Sequence, residues 1–237
     1  MGFDDAAINY FISSDHKEGE DLAFCTNYFK NHHFKKLLDI ATAAGHFTKP
    51  FSASMKVATD ISFNMLKTAK EKNNLSHLVQ CLAEFLPFKG ESFDIVTCRI
   101  ALHHFKKPGL FFDEVYRVLN EKGFFVLIDS IVDIEDTYLN VIEYIRDNTH
   151  RRSFTISEIL EFTAKKYRLL TFHTIFKKHN FIEWATRLNQ DSTTVEKIEK
   201  AFLDLPAKIK DELKVETDNG RVVSYTDKKG IFIFQKL

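Results

Sequence analysis

The chain has 237 residues, of which 44% are hydrophobic and 28% charged, so it is long enough to bury a full core. Its 33 basic residues balance 33 acidic ones, which argues against a general nucleic-acid binder or a protein held on anionic membranes, because both rely on a basic excess. The longest apolar runs, such as Phe124 to Ile128, are far shorter than the roughly 20 residues that span a bilayer, so we expect no membrane insertion. An acidic N-terminal segment, and three cysteines (Cys25, Cys81 and Cys98) without CxxC spacing, favour a reducing, cytoplasmic location.

Strand and helix signals alternate through the first half of the chain. The first 33 residues are predicted to form a helical extension, in which Asp21 to Phe29 places apolar side chains near one face. The predicted strands that follow are Phe34–Ala41, Met55–Ile61, Leu78–Ala83, Phe93–Ala101 and Phe124–Val132. The predicted helices between them are Gly45–Ser54, Ser62–Asn73 and Pro108–Leu119, with a serine cap on the second and a proline at the start of the third. This alternation predicts an α/β fold with a doubly wound, mainly parallel sheet.

After Val132 the pattern changes to helical additions and a C-terminal β region. The predicted helices are Ile134–Asn148, Thr155–Lys166, Ile182–Leu188 and Thr194–Leu203, and the predicted strands are Arg168–Phe176, Arg221–Thr226 and Ile231–Lys236. Asp-Lys-Lys-Gly at 227–230 is interpreted as a hairpin connection, and Asp-Asn-Gly at 218–220 as a tight turn. We expect the last strand to be antiparallel and inserted near the far edge of the sheet. No linker rich in Pro, Gly or Ser divides the chain, so residues 1–237 are expected to form one domain, with 133–167 as a helical insertion over the pocket.

Ligands of a doubly wound sheet bind beyond the carboxyl ends of its strands. The segment LLDIATAAGHF (37–47) places Asp39 at such an end, followed by small residues that let backbone N–H groups approach a ligand. Asp60 ends the next strand, 21 positions later, near the roughly 20-residue interval of dinucleotide-binding folds. The sequence therefore predicts a ligand site built on these two strand ends.

Longer motifs carry a resemblance to a known family. The loop Asp39-x-Ala41-x-Ala43-x-Gly45, the stretch VQCLAEFLPFKGESFDIVTCRIALHHF (79–105) and the turn at 117–123 resemble class I S-adenosylmethionine-dependent methyltransferases of the methyltransferase type 11 group. Segments 146–155 and 181–189 resemble a bacterial branch loosely related to the ubiquinone/menaquinone biosynthesis methyltransferases. The resemblance implies a Rossmann-like fold, S-adenosyl-L-methionine as cofactor with S-adenosyl-L-homocysteine as product, and a small-molecule acceptor. We expect a monomer or homodimer and no nucleic-acid partner.

The resemblance also implies which residues form the site. The cofactor-binding set is Asp39, Ala41, Ala43, Gly45, Asp60, Ile61, Met65, Leu82, Ala83, Glu84 and Arg99. Asp60 matches the family's acidic residue that holds the two ribose hydroxyls, and a carboxylate can accept both hydrogen bonds. His103 and His104 are candidate general bases because they follow the fourth strand at the ligand end. Arg146, Asp147 and His150 form a candidate substrate cluster.

Each of these assignments has a plainer structural alternative. Asp39 would only orient its loop, and Asp60 would only cap the helix that begins near Ser62. The two histidines would start a helix without any chemical role. Arg146, Asp147 and His150 would form a network at a helix C-terminus, where cations suit the dipole.

Three departures from the family pattern keep a second functional class open; the mildest is Ala41, because some members of this group carry alanine there. Ala43 replaces a glycine and would be strained if its position needs positive φ. Leu82 replaces an aspartate that accepts a hydrogen bond from the adenine amino group, and Glu84 is the alternative acceptor. The alternative function is therefore a non-catalytic descendant that binds a ligand or partner after losing cofactor affinity. An NAD(P)-dependent oxidoreductase is disfavoured because the motif set is not its pattern, and no HxxxH or paired-cysteine spacing predicts a metal site.

Overall fold

A computed structural model describes Phe11 and residues 19–133, 137–188 and 190–237. Its sheet contains the strands β1 (Phe34–Ile40), β2 (Ala53–Asp60), β3 (His77–Gln80), β4 (Phe93–Arg99), β5 (Leu119–Ile131), β6 (Tyr167–Asn180), β7 (Glu216–Asp218) and β8 (Arg221–Lys236). The strand order is β3–β2–β1–β4–β5–β8–β6, and β7 pairs with β8. The first five strands are parallel to one another, whereas β8 runs antiparallel between β5 and β6. The Rossmann-like, mainly parallel sheet and the antiparallel strand near its far edge are thus confirmed.

Helices cover both faces of this sheet. They are α1 (Glu20–Phe29), α2 (Phe63–Asn73), α3 (Pro108–Val118), α4 (Tyr138–Arg146), α5 (Ile156–Thr163), α6 (Phe181–Thr186), α7 (Ser192–Leu203) and α8 (Ala207–Glu212), with 3₁₀ turns at His46–Thr48 and Leu102–His104. Local sequence explains several starts: Ser62 accepts a hydrogen bond from the N–H of Met65 at 3.1 Å, and Thr155 with Glu158 forms a capping box. Within the ranges described above, no helix combines the length and apolar character needed to cross a bilayer.

Alternating strand residues feed two core layers. Leu38 and Val96 belong to the layer that holds Phe111 of α3, whereas Leu37 and Ile95 belong to the opposite layer, which holds Cys25 and Phe29 of α1. A third apolar cluster joins α4, α6 and α7 to the first half of β8, through Ile142, Trp184, Phe202 and Tyr225 among others. This third cluster positions the polar side chains described below, because it fixes α4 and α6 over the end of the sheet.

Two predicted elements are wrong. The helix predicted over Gly45–Ser54 is only the 3₁₀ turn His46–Thr48, since Gly45 is left-handed with φ 84° and Pro50 cannot continue a helix. The hairpin predicted at 227–230 is continuous strand, because β5 and β6 flank these residues and pair with them on both sides. The tight turn at 218–220 does join β7 to β8, with positive φ at Asn219 and Gly220.

Several further boundaries differ from the predictions. Strand β5 begins at Leu119, where it pairs with Phe93, so the turn predicted before Phe124 is part of the strand. The strand predicted over Arg168–Phe176 is longer and reaches Asn180. Helix α4 begins at Tyr138; residues 134–136 of the predicted helix lie outside the described residues. Of the predicted N-terminal extension, the described part includes α1, while residues 1–10 and 12–18 lie outside it.

Candidate active site

A cavity of about 490 Å³ opens beyond the carboxyl ends of β1, β2 and β4. Its size lies in the range of small-molecule sites, roughly 300 to 1,000 Å³. The predicted residues that line it are Ala41, Ala43, Asp60, Ile61, Met65, Leu82, Ala83, Glu84 and His104. We call it the strand-end cavity. Most of the predicted cofactor set is therefore brought together in one place.

The loop after β1 is held in an unusual backbone conformation. Ala41 has φ 53° and Ala43 has φ 47°, both in the left-handed region that glycine favours. Gly45, with φ 84°, does not line the cavity; a side chain there would meet Leu75 at 2.7 Å. Two alanines therefore hold a left-handed conformation that glycine adopts more easily, and the loop stores strain at both.

Asp60 connects this loop to the next helix. Its Oδ2 accepts a hydrogen bond from the N–H of Ala43 at 2.9 Å, and its Oδ1 accepts one from the N–H of Ser62 at 2.9 Å. Asp60 therefore does support the start of α2, as the plainer alternative holds, while Ser62 itself is the N-cap. The same carboxylate lines the strand-end cavity, so the two roles are compatible.

Asp39 lies beneath the cavity rather than in it. Thr42 Oγ1 and Thr97 Oγ1 donate hydrogen bonds to its two carboxylate oxygens at 2.5 and 2.6 Å. Burial raises the pKa of Asp39 to about 6, although these two hydroxyls oppose the rise. Asp39 orients its loop through Thr42, and it also lines a small adjoining cavity of about 20 Å³ with Arg99.

Arg99 forms an ion pair with helix α1. Its Nε donates to Asp21 Oδ2 at 2.6 Å, and both side chains are buried. Its guanidinium also lies 5.9 Å from the ring centre of Phe47. Arg99 therefore borders the site from below and does not line the strand-end cavity.

Large apolar side chains with much of their surface exposed border the strand-end cavity. Ile61 is 56% exposed, Leu82 45% and Phe85 59%, and all three line it. Met65 and Ala83 complete this apolar wall and are buried. Exposed apolar side chains gathered around a concave site indicate a surface that a partly apolar ligand would cover.

Glu84 is buried and holds the loop that follows His104. Its Oε1 accepts hydrogen bonds from the N–H groups of Lys106 and Lys107, at 3.0 and 3.3 Å. Glu84 also lines the strand-end cavity. Glu84, two positions after Leu82, therefore places a carboxylate at the cavity. One of its oxygens already accepts hydrogen bonds from the backbone of Lys106 and Lys107.

The two histidines after β4 face different chambers. His104 lines the strand-end cavity, whereas His103 lines a second, smaller one, and their ring centres lie 4.2 Å apart. The nearby residue Ile100 lines both chambers and has φ 54°, a genuine outlier for a β-branched residue.

His103 is paired with an aspartate that our sequence analysis missed. Its Nδ1 lies 2.5 Å from Oδ1 of Asp129, which is buried at the carboxyl end of β5. Burial alone would lower the pKa of His103, but the charge and hydrogen bond of Asp129 outweigh it and raise the pKa. A neutral His103 would donate Nδ1–H to Asp129 and keep its lone pair on Nε2. The strand-end rule that identified Asp39 and Asp60 would also have found Asp129.

His104 has the opposite electrostatic environment. Burial, followed by the proximity of His103, lowers the pKa of His104 to about 3. Thr149 Oγ1 donates to Asp147 at 2.6 Å, so it accepts from His104 Nδ1–H at 3.2 Å. His104 is therefore a neutral imidazole at physiological pH and a weak base.

The predicted substrate cluster divides between the chambers. Arg146 and His150 line the second chamber, whereas Asp147 lines neither and holds Thr149 in place. Burial and the proximity of His103 lower the pKa of His150 to about 4, so its ring is also neutral. Further polar residues of this chamber were missed by sequence reasoning: Ser130, Glu143, Ser153, His179, Arg187, Asp227 and Lys229. No grouping of three or more metal-ligating side chains occurs in the part of the chain that the structure describes.

Comparisons with known proteins agree with this architecture. The profile of a family described as a methyltransferase domain matches residues 38–127. The uncharacterized methyltransferase YcgJ of Bacillus subtilis is 33% identical over 151 residues, which span 60% of this chain and 60% of that protein. The chain thus matches less than two thirds of that relative's length.

Two solved structures extend the likeness over the fold. The protein BH2331 of Bacillus halodurans, provisionally assigned as a methyltransferase, has a TM-score of 0.86 and 30% identity, covering 92% of this chain and 99% of its own. A phosphoethanolamine N-methyltransferase of Haemonchus contortus, solved with phosphomonomethylethanolamine and S-adenosylhomocysteine, has a TM-score of 0.63 and 20% identity, covering 98% of this chain and 57% of its own. Since the matched family domain holds both strand-end acids and the Bacillus halodurans protein is covered almost end to end, the chain belongs to the methyltransferase type 11 family of class I methyltransferases.

Proposed function

We propose that this protein transfers the methyl group of S-adenosylmethionine to a small-molecule acceptor, releasing S-adenosylhomocysteine. The observation that carries the proposal is the open cavity of about 490 Å³, with the carboxylate of Asp60 on its wall. A descendant that had lost its cofactor would be expected to fill this space with side chains. Methyl transfer is the chemistry of the family, while the cofactor, the acceptor and a cytoplasmic location are our proposals.

The residues present suit an adenosine group. Asp60 has the position and charge to hold two ribose hydroxyls, because a carboxylate accepts several hydrogen bonds. Leu82 and Ile61 present apolar surface suited to an adenine ring. Leu82 supplies no acceptor for the adenine amino group, and Glu84 is our candidate for that bond. The S-adenosylmethionine that we propose supplies an activated methyl group on a sulfonium centre.

The protein's own groups would orient the acceptor and remove its proton. Of the two predicted bases, we favour His103, because Asp129 fixes its ring and leaves Nε2 as the proton acceptor. His104, whose pKa is lowered to about 3, is a poor base and would instead separate the two chambers as a neutral ring. Partial exclusion of water from the buried second chamber would favour transfer to the acceptor.

Isothermal titration with S-adenosylhomocysteine tests the cofactor assignment. We expect wild type to bind and Asp60→Asn to lose at least about tenfold in affinity, since a charge-assisted hydrogen bond contributes roughly 1.5 to 3 kcal/mol. Asp94→Asn is the matched control: Asp94 also accepts two backbone N–H bonds, at 2.8 and 2.9 Å, but at the amino end of β4.

The control should bind as wild type does. No binding heat from wild type at high ligand concentration would reject the cofactor assignment and favour the non-catalytic alternative. Equal losses in Asp60→Asn and Asp94→Asn would instead indicate a general folding defect, which far-ultraviolet circular dichroism would reveal.

A further inference from the structure

The second chamber lies where the carboxyl ends of β5 and β6 and the middle of β8 meet helices α4 and α6. Its volume is about 40 Å³, room for about three water molecules, and so for a group the size of a carboxylate. Its walls are predominantly polar. Arg146, Arg187 and Lys229 supply permanent positive charge, and Glu143 and Asp227 supply negative charge.

The chamber is lined by three permanent cations and only two carboxylates, and both carboxylates contact other side chains. Arg146 binds Glu143 at 2.7 Å and lies over the ring of Trp184. Asp227 lies 3.1 Å from Nε2 of His179 and also accepts a hydrogen bond from Ser130. Both carboxylates of the lining are therefore occupied by other side chains.

Lys229 is left without such a partner. Only 5% of the residue is exposed, yet among the described residues no carboxylate lies within 4.0 Å of its ammonium group and none accepts a hydrogen bond from it. The ammonium group is not fully enclosed by protein atoms, and Lys229 lines the chamber, so this group is accessible from the chamber. Charged groups on largely buried residues are usually found with a counter-charge or at a ligand site. An anionic ligand in the chamber would supply the counter-charge that Lys229 lacks among the described residues.

A second buried group beside the chamber also lacks a partner. The hydroxyl of Tyr225 is buried with no hydrogen bond to any described residue. Its electrostatic neighbours are Glu143, Asp227, Arg146 and Arg187, which all line the chamber. Tyr225, Asp227 and Lys229 alternate along β8, so one face of the strand delivers all three side chains to the same region.

We propose that this chamber binds the anionic group of the methyl acceptor, a carboxylate or phosphate, with Lys229 as its counter-ion. The inference rests on the proposed methyl transfer and adds the acceptor's chemical class. Ile100 lines both chambers, and the rings of His103 and His104 lie side by side between them. An acceptor anchored by its anionic end at Lys229 would thus have its nucleophilic end beside His103 and the strand-end cavity.

Amide-resolved NMR titrations of the full chain test this site. The probes are acetate, benzoate and inorganic phosphate, with acetamide and benzamide as neutral analogues, at constant ionic strength. We expect saturable shifts at Ser130 and Gly230 with at least one anion and none with the amides. Lys229→Met should weaken that anion at least about tenfold, as loss of one charged hydrogen bond does. Binding by carboxylates alone, or by phosphate alone, identifies which group the acceptor carries.

Lys228→Met is the matched control, because Lys228 is the adjacent residue and pairs with Asp133 at the surface. It should retain anion binding. Equal anion affinity in wild type and Lys229→Met, equal binding of the amides, or no saturable shift would each overturn the inference. The thermal midpoint of Lys229→Met should equal or exceed that of wild type, since a charge without a counter-ion is removed from a largely buried residue; a clear fall would show a structural partner and also overturn it.

The same samples titrated with S-adenosylhomocysteine separate the two proposals. Lys229→Met should bind this product as wild type does. Anion binding without product binding would leave the chamber assignment in place and reject the cofactor. Product binding without anion binding would do the reverse.

Discussion

Asp60 Oδ2 and the backbone nitrogen of Ala43 lie 2.9 Å apart, so the acid that ends β2 holds the strained loop that follows β1. The other carboxylate oxygen holds Ser62 at the start of α2. A non-glycine residue persists in a left-handed conformation only when its surroundings fix it, and this hydrogen bond is one such restraint. The contact therefore helps to hold Ala43 in its left-handed conformation without a glycine at that position.

Ala43→Gly should stabilise the protein and tighten S-adenosylhomocysteine binding. Relief of left-handed strain is worth roughly 1 to 2 kcal/mol, offset by about 0.4 to 1 kcal/mol of unfolded-state entropy. We expect a net gain of about 0.5 to 1 kcal/mol in chemical denaturation. Ala44→Gly is the control, because Ala44 is buried beside it without positive φ; it should destabilise. A loss of stability in Ala43→Gly would show that the methyl group of Ala43 contributes packing that exceeds the strain.

Leu82→Asp should restore an acceptor for the adenine amino group. Leu82 is 45% exposed at the cavity wall, so the carboxylate would remain partly hydrated. We therefore expect a modest gain of about 1 kcal/mol, or about fivefold tighter binding of S-adenosylhomocysteine by calorimetry. Leu82→Ala should not tighten it. If Leu82→Asp weakens binding, the apolar surface of Leu82 contributes more than the lost acceptor, and the site has been rebuilt around the present residues.

Asp39 should make stability fall as pH rises. Its carboxyl is buried and its folded-state pKa is raised from 3.8 to about 6, so the native state binds the proton more tightly than the unfolded chain. Its contribution is complete below pH 4 and is lost as pH rises through about 6, a difference of about 3 kcal/mol. The unfolding free energy of wild type minus that of Asp39→Asn, measured from pH 4 to 7, should decrease by this order. A flat difference would mean that Thr42 and Thr97 stabilise the ionised form.

Asp129→Asn should lower the pKa of His103. The charge and hydrogen bond of Asp129 raise this pKa against the effect of burial, so their removal leaves burial unopposed. Proton NMR titration of the imidazole would follow the change. Asp147→Asn serves as the comparison, because Asp147 acts electrostatically on His104; His103 should titrate there as in wild type. An unchanged His103 in Asp129→Asn would remove the basis for choosing it over His104.

The sequence was most informative where a local pattern determines the position of a side chain. Asp39 and Asp60 end apolar strands, and parallel strands bring such ends together, so both were predicted at one edge. Tertiary pairing determines the conformation of residues 227–230. Their sequence is typical of a turn, yet pairing with β5 and β6 on either side keeps them extended. Two of these polar residues, Asp227 and Lys229, line the second chamber, which forms only when the sheet is folded. Lys229 carries no local signal of that, because the residues it faces come from distant parts of the chain.

The position of β8 also constrains how the molecule folds. This 16-residue strand pairs with both β5 and β6, so during synthesis it leaves the ribosome after both of its neighbours. Until then those neighbours expose unpaired edges, which favour aggregation. Such distant pairings also slow folding, because long loops must close before the contacts form. Truncations within 221–236 should therefore yield insoluble protein rather than a smaller soluble sheet.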